Sequence, residues 1–286
     1  MNGPRVLFPE WEAFSLVDCG GRRKLERFGE HHLIRSEPKA WWEEKRSLSE
    51  WGKAGAEISD AGSAWKIRKG FPRAWTLPYR SLRFEARLTD MSKHVGIFPE
   101  QEPHWRWLEE RLSLRSSPRV LNLFGYTGAA TLVSAAAGAR VTHVDASKPA
   151  VSWARHNQAL SGLEEAPVRW IIDDAFKFVT REVRRQREYE VILLDPPSFG
   201  RGPKGEIWKV EQQIGPLLKN IHSILVPRGG MVVLTLYNLE ASSLMLKSLL
   251  EAHFPGGRLE YGELALPCAA TSPVLPLSLF ARWEDA

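Results

Sequence analysis

The segment Val120-Leu-Asn-Leu-Phe-Gly-Tyr-Thr-Gly128 constrains this chain more than any other stretch. Val120 to Phe124 is a short apolar run suited to a strand covered on both faces. Gly125 and Gly128 lack a Cβ, so the backbone turns sharply there and a ligand approaches closely. Ala129 to Ala137, rich in alanine, is expected to form a helix whose N-terminal amides face the turn. Arg140-Val-Thr-His-Val144 reads as the next strand, and Asp145 follows it, twenty residues after Gly125. An acid at that offset meets ribose hydroxyls in Rossmann-like units. The segment therefore predicts a β-α-β unit with a nucleotide-type ligand at its strand ends.

The glycine spacing narrows the ligand. From Gly125 the order is Gly-Tyr-Thr-Gly, without the closely spaced glycine pair that cradles a pyrophosphate. S-adenosylmethionine has no pyrophosphate, so the turn points to that cofactor rather than to a dinucleotide. Two strands later, Asp195-Pro-Pro-Ser-Phe199 closes the apolar run Glu190 to Leu194. Two successive prolines terminate a strand and stiffen its exit. Asp195, Pro196, Pro197 and Phe199 are the candidate catalytic residues. Asp195 and a carbonyl released from the ladder would accept hydrogen bonds from a nucleobase amine, and Phe199 would stack on a flipped base. The simpler reading is a strand-ending turn. The stretch Gly200-Arg-Gly-Pro-Lys-Gly205 is either a loop that closes over a phosphate-bearing substrate through Arg201 and Lys204, or a solvated loop.

Strand and helix patterns alternate from Pro118 onward. Helices are expected at Lys148 to Leu160, Ala175 to Arg187, Glu206 to Leu225 and Leu239 to His253. Strands are expected at Val168 to Ile172, Glu190 to Leu194, Gly230 to Thr235, Arg258 to Leu266 and Leu277 to Trp283. The last two strands have no crossover helix between them and predict an antiparallel edge. The expected class is α/β: a Rossmann-like, mostly parallel seven-stranded sheet with an antiparallel C-terminal edge, preceded by a small β-rich N-terminal domain. The expected division is 1–90 for that small domain, 91–117 for a connecting motif and helix, and 118–286 for the α/β domain. In the first part, short strands are expected at His31 to Arg35, Trp65 to Phe71 and Ser81 to Leu88. A helical turn is expected at Glu37 to Trp41, and a helix from Glu102 to Leu114.

Charge separates the two parts. Residues 1–118 hold 21 Lys+Arg against 17 Asp+Glu, while residues 119–286 hold 18 against 17. Eight basic residues fall between Lys66 and Lys93, among them Arg73, Arg80 and Arg83. Interleaved with Trp75, Tyr79 and Phe84, they either track phosphates and stack bases or form a solvated face over an aromatic core. The absence of a run of about twenty apolar residues argues against a membrane span. Met1-Asn-Gly-Pro-Arg5 lacks the pattern of a signal peptide. Cys19 and Cys268 have no metal-ligand spacing, and no metal site is expected. A reducing cytoplasm is the expected setting.

The stretches VLNLFGYTGAA (120–130), VTHVDASKPAVSWARHNQAL (141–160), DDAFKFV (173–179) and VILLDPPSFGRG (191–202) resemble class I S-adenosylmethionine-dependent methyltransferases. More narrowly, together with KHVGIFPEQ (93–101), they are similar to the family of large-subunit ribosomal RNA cytosine methyltransferases. The resemblance covers roughly residues 90–285. It implies a methyltransferase acting on RNA, with Phe124, Gly125, Tyr126, Thr127 and Gly128 at the methionine end of the cofactor and Gln101 nearby. It places Asp145 on the ribose, Ala146 and Ser147 beside the adenine, and Asp174 with Ala175 at its exocyclic nitrogen. Asp174 also suits a helix N-terminus, and Asp145 a cap on the following helix. His94 and Phe98 belong to an element that the resemblance turns toward the cofactor mouth, which makes them candidate substrate contacts. His94 or the neighbouring His104 is a candidate general base, or a structural histidine.

The chain departs from the family at one position. Attack through cytosine carbon 5 needs a thiolate that adds to the ring first. The family carries that cysteine just after the fifth strand, where this chain reads Thr235-Leu-Tyr-Asn238. Cys268 has no family match. A direct transfer to a nitrogen or oxygen nucleophile, which needs no covalent intermediate, is expected instead. The competing expectations are a protein or small-molecule methyltransferase, and a non-catalytic cofactor-binding protein that interacts with RNA.

Overall fold

The structure is a computed structural model that describes residues 3–59, 64–90, 92–237, 239–269 and 273–285. The chain forms two compact units. One comprises Met1–Leu7, Pro103–Leu264 and Ser278–Ala286; the other comprises Phe8–Glu102 and Ala265–Leu277. The first strand, β1 (Arg5–Leu7), belongs to the larger unit.

In the smaller unit β2 (Phe14–Gly20), β3 (Arg23–Phe28) and β4 (His31–Ser36) form an antiparallel meander. A short helix α1 (Leu48–Trp51) follows, started by a reciprocal capping box between Ser47 and Glu50. Strand β5 (Ala56–Ile58) pairs parallel with β4, and β6 (Lys66–Ile67) antiparallel with β5. A hairpin of β7 (Ala74–Tyr79) and β8 (Leu82–Arg87) completes the strands. The expected helical turn at Glu37 to Trp41 is a non-helical turn closed by Ala40 N–H donating to Glu37 O. Its proline and short polar start suit both outcomes, and only one turn's worth of residues was available to a helix.

The alternation in the β7–β8 hairpin resolves the basic, aromatic-rich stretch. Arg73, Arg80 and Arg83 are exposed, whereas Tyr79 and Phe84 are 3% and 0% exposed. Trp75 is half-buried against His31 and Phe71, with its indole N–H donated to Phe28 O. The aromatic residues are core packing, and the arginines are the solvated face of the same strands.

The smaller unit also holds a buried charge cluster. Lys24 and Arg35 are directly opposite across β3 and β4, a repulsive arrangement by itself. Glu26, fully buried, accepts from Arg35 Nε at 2.6 Å and Nη2 at 2.7 Å, and lies 3.4 Å from Lys24 Nζ. Burial alone would push the Glu26 carboxyl up; the Arg35 and Lys24 charges outweigh it and hold the group below its ordinary value. Removing Arg35 strands that carboxylate. Arg35→Leu is expected to lower unfolding free energy by about 3–5 kcal/mol, read by chemical denaturation. A change under about 1 kcal/mol would show that water replaces the guanidinium.

The larger unit carries an eight-stranded sheet in the order β1-β16-β17-β15-β12-β9-β10-β11. Its members after β1 are β9 (Arg119–Leu123), β10 (Arg140–Asp145), β11 (Val168–Ile172), β12 (Val191–Leu194), β15 (Met231–Tyr237), β16 (Arg258–Pro267) and β17 (Val274–Glu284). Between β12 and β15 a two-stranded ribbon forms from β13 (Phe199–Arg201) and β14 (Ile207–Lys209). Strands β9 to β12 and β15 run parallel, and β17 is antiparallel to β15, as the missing crossover predicts. Strand β1, which carries no clear pattern in three residues, adds an eighth member by pairing parallel with β16.

The helices are α2 (Glu102–Leu112), α3 (Ala129–Ala136), α4 (Lys148–Leu160), α5 (Ala175–Arg184), α6 (Val210–His222) and α7 (Ser243–His253). Helix α6 starts four residues later than its periodicity suggests, because Ile207 to Lys209 are taken by the ribbon. Helices α3 and α4 pack on β9 to β11. Helices α5, α6 and α7 pack on one another and share one apolar core built from Phe178, Leu217, Leu218, Leu246 and Leu250. The sheet order reverses between β9 and β12, so a crevice opens at their carboxyl ends. Phe124 and Asp195 leave the sheet there, and Asp145 ends the neighbouring strand.

Candidate active site

The turn after β9 is held in an unfavourable backbone conformation. Phe124 has φ 58°, Tyr126 has φ 49° and Gly128 has φ 84°. Only glycine adopts such values freely, and each of the two aromatic residues costs about 1–3 kcal/mol there. Three hydrogen bonds offset the strain. Gly125 N–H donates to Val144 O, Gly128 N–H donates to Gly125 O, and Tyr126 N–H donates to Asp145 Oδ2 at 2.8 Å.

Asp145 also accepts from Ser147 N–H through Oδ1 at 2.8 Å. Each carboxylate oxygen thus takes one backbone amide and keeps acceptor capacity for a ligand hydroxyl. The cap of α4 is Ser147, whose hydroxyl accepts from Ala150 N–H, so Asp145 does not cap that helix. Ala146 is half-buried and Ser147 exposed beside it. At the next strand end, Asp173 N–H donates to Asp145 O, which draws the β11 exit toward that of β10. Asp174 caps α5 by accepting from Lys177 N–H at 2.8 Å, and Ala175 is buried behind it. Thr127 is buried, and its carbonyl accepts from Asn157 Nδ2.

Gly125 is needed for space and not for its dihedral angles. A Cβ there would stand 2.4 Å from His143 Cε1 and 2.5 Å from His143 Nδ1. His143 is fully buried and directly opposite Asn122 across β9 and β10. Asn122 Nδ2 donates to Thr131 Oγ1, which shares a 2.9 Å hydrogen bond with His143 Nδ1. Burial pushes the imidazole down to about 3, so it is neutral at physiological pH. This polar underlay of the turn was missed in the sequence. Its signal was two polar residues, Asn122 and His143, inside otherwise apolar strand runs.

At the β12 exit Asp195 is half-buried, Pro196 buried and Phe199 53% exposed. The Pro197 carbonyl, one candidate acceptor for a base, is occupied: it takes the Trp208 indole N–H at 2.7 Å. Trp208 is buried on β14 with its ring centroid 5.0 Å from that of Phe124. It therefore joins the Pro-Pro motif to the glycine turn. Arg201 and Lys204 are on the ribbon and its tip, not on an unstructured loop. Glu206 fixes the tip, accepting from Lys204 N–H and pairing with Lys177 at 2.6 Å. Those contacts, the lysine first, bring its carboxyl down to about 2.

Gln101, His94 and Phe98 lie in the smaller unit. Gln101 ends a short 3-10 turn, Pro99–Gln101, and the His94 and Phe98 rings pack with centroids 5.0 Å apart. Burial pushes His94 down to about 4, a poor match for a general base at neutral pH. His104, in the larger unit, is buried, and its Nδ1 accepts from Arg282 Nε at 2.9 Å. Burial holds it well below its ordinary value, so His104 is a structural histidine.

A family model described as S-adenosylmethionine-dependent methyltransferase matches residues 58–251. The chain belongs to this family. A crystal structure of a SAM-dependent methyltransferase from Agrobacterium tumefaciens is 41% identical, with a TM-score of 0.94 over 99% of this chain and 94% of that one. A chain solved in complex with SAH is 18% identical with a TM-score of 0.73, covering 95% of this chain and 75% of that one, a likeness of fold alone. Among curated relatives, "Ribosomal RNA large subunit methyltransferase K/L" of Methylococcus capsulatus is 40% identical over 115 residues, 40% of this chain and 15% of the relative. The protein of the same name from Hahella chejuensis is 31% identical over 159 residues, 55% of this chain and 21% of the relative. The chain thus spans about a fifth or less of the length of these curated relatives.

The family's cofactor fits what the crevice offers. The two amide-anchored oxygens of Asp145 suit a ribose, and the Gly-Tyr-Thr-Gly turn beside them lacks the closely spaced glycine pair of a pyrophosphate cradle. Two outcomes follow. Gly125→Ala forces the turn away from His143 and is expected to weaken S-adenosylmethionine binding at least tenfold in calorimetry, a cost of about 1.4 kcal/mol or more. In a His143→Ala background the same substitution should cost much less, and equal costs in both backgrounds would refute the steric account. The second outcome concerns pH. Burial raises the Asp145 carboxyl above its ordinary 3.8, only partly countered by the Ser147 and Tyr126 amides. Proton uptake removes the ribose acceptor, so affinity should fall on acidification at a pH above 3.8. An affinity flat down to that value would remove Asp145 from the ribose.

Proposed function

We propose that this chain transfers a methyl group from S-adenosylmethionine to RNA, with ribosomal RNA as the substrate class, in one direct displacement. The single observation that carries the reading is the Asp195-Pro-Pro-Ser-Phe199 exit beside the amide-anchored Asp145 in one crevice. The names of the curated relatives support ribosomal RNA as the acceptor.

The cofactor supplies an activated methyl on a sulfonium centre. Phe124, Gly125, Tyr126, Thr127 and Gly128 are assigned to its methionine end, Asp145 to the ribose, and Ala146, Ser147, Asp174 and Ala175 to the adenine. Asp195 orients the acceptor by taking a hydrogen bond from its amine, and the half-exposed Phe199 ring stacks on the base. Pro196 and Pro197 keep that exit rigid, so alignment is built in before the substrate arrives. Arg201 and Lys204, exposed on the ribbon, suit flanking phosphates.

Direct transfer is supported by the cysteine inventory. No cysteine lies at or directly after the end of the fifth parallel strand, which reads Thr235-Leu-Tyr-Asn238; Thr235 to Tyr237 are described, and Asn238 lies outside the described residues. Cys19 and Cys268 are both buried in the smaller unit. Burial first, and then the neighbouring Cys268, push the Cys19 thiol up to about 12, the opposite of an activated nucleophile.

Incubation of radiolabelled cofactor with separate RNA and protein extracts tests the acceptor. Label is expected in RNA, and label confined to protein would overturn the reading. Asp145→Ala should weaken cofactor binding roughly tenfold to a hundredfold, whereas Cys268→Ser should leave methyl transfer intact.

A further inference from the structure

We infer that the amino ends of β9, β10 and β11, remote from the methyl-transfer crevice, form a second contact surface for the RNA backbone. The inference rests on the RNA reading above. A cleft of about 470 Å³ opens there, lined by Arg119, Arg140, Arg169 and Arg187 with Glu182 and Glu188. Its acids are already answered. Glu182 is buried, accepting from the Tyr189 hydroxyl at 2.8 Å and from Arg185 at 3.0 Å. Glu188 lies 3.7 Å from Arg119, which also pairs with Glu190 at 3.1 Å.

Arg140, Arg169 and Arg187 are exposed, and none of the three has an ion-pair or hydrogen-bond partner for its guanidinium among the described residues. Arg169 is steadied only by the Phe178 ring, 5.8 Å away. Three uncompensated guanidiniums therefore surround one cleft. Each presents a planar fork of donors that matches a phosphate. Exposed rather than buried arginines suit a polyanion with spread charge better than a single enclosed anion. Arg140 starts β10 and Asp145 ends it, so the two ends are about 16 Å apart at 3.3 Å per residue. An RNA with its target base in the crevice needs only to bend around one sheet edge to reach the cleft. The fit is to phosphate and not to sequence, so the surface would add affinity and orientation without base preference.

Salt-dependent binding of a ribosomal RNA fragment tests this. Each phosphate contact contributes about 0.7–0.9 to the slope of log affinity against log salt. Arg140→Ala/Arg169→Ala/Arg187→Ala should therefore flatten the slope by about 2–3, with S-adenosylmethionine affinity and thermal midpoint unchanged. The matching triple lysine variant should keep the slope. If the alanine triple does not fold, Arg140→Gln/Arg187→Gln should lower the slope by about 1.4–1.8. Wild-type binding with a slope unaltered in these variants overturns the second surface alone. A wild type without RNA affinity overturns the RNA reading as well.

Discussion

The rest of the site depends on one carboxylate. Asp145 spends one lone pair of each oxygen on a backbone amide, Tyr126 on one side and Ser147 on the other. The first bond locks a turn whose Phe124 and Tyr126 backbones would otherwise relax out of the left-handed region. The second sets the entry to α4. Without this anchor the strain in the turn, about 1–3 kcal/mol per residue, is opposed locally only by the Gly125 and Gly128 amide bonds. The acid is thus a structural part of the loop before it meets any ligand, and the acceptor capacity that remains is what the proposed ribose contact would use. That double duty explains why the group sits half-buried although burial raises the cost of its charge.

Beneath the same turn a neutral histidine fills the space that a side chain at position 125 would claim. Asn122, Thr131 and His143 form a hydrogen-bonded chain between the sheet and α3, polar groups on a sheet face otherwise occupied by Val120 and Val141. Burying them costs desolvation, which the internal bonds offset in part: His143 Nε2 is buried and has no hydrogen-bond partner among the described residues. An aliphatic underlay would satisfy packing as well. The polar one adds direction, because a hydrogen-bonded ring cannot slide beneath Gly125.

The catalytic unit was largely legible in the sequence because its signals are periodic and local. Lys148–Leu160 and Val168–Ile172 occupy the residues that apolar spacing and helix-start chemistry predict, and the β-α alternation implies the parallel sheet. The turn, Asp145 and Asp195 were visible as motifs at fixed offsets. Illegible features depend on contacts distant in sequence. Strand β1 has three residues and meets β16 more than 250 positions later. Trp208 was read within a helix because Ile207-Trp-Lys209 is too short to show a period of two clearly. The small unit was least legible. Its aromatic and basic residues alternate on two faces, and composition alone does not tell which face is buried.

Trp208 ties two motifs into one device. Its indole N–H satisfies the Pro197 carbonyl, and its ring packs beside Phe124. The chain leaving β12 is therefore tied to the chain leaving β9, across the point where the sheet order reverses. With Glu206 holding the ribbon tip to Lys177, the ribbon has fixed points at both ends. Phe199 then remains half-exposed on a braced strand rather than folding into the core, which its hydrophobicity alone would favour. In the proposed stacking on a base, a ring held open in this way would lose little conformational freedom, so more of the stacking energy would go to binding. In a mechanism without a covalent enzyme intermediate, alignment of acceptor and methyl donor is the main source of rate that the protein controls. In the proposed mechanism the ribbon and the Asp145 turn would supply that alignment.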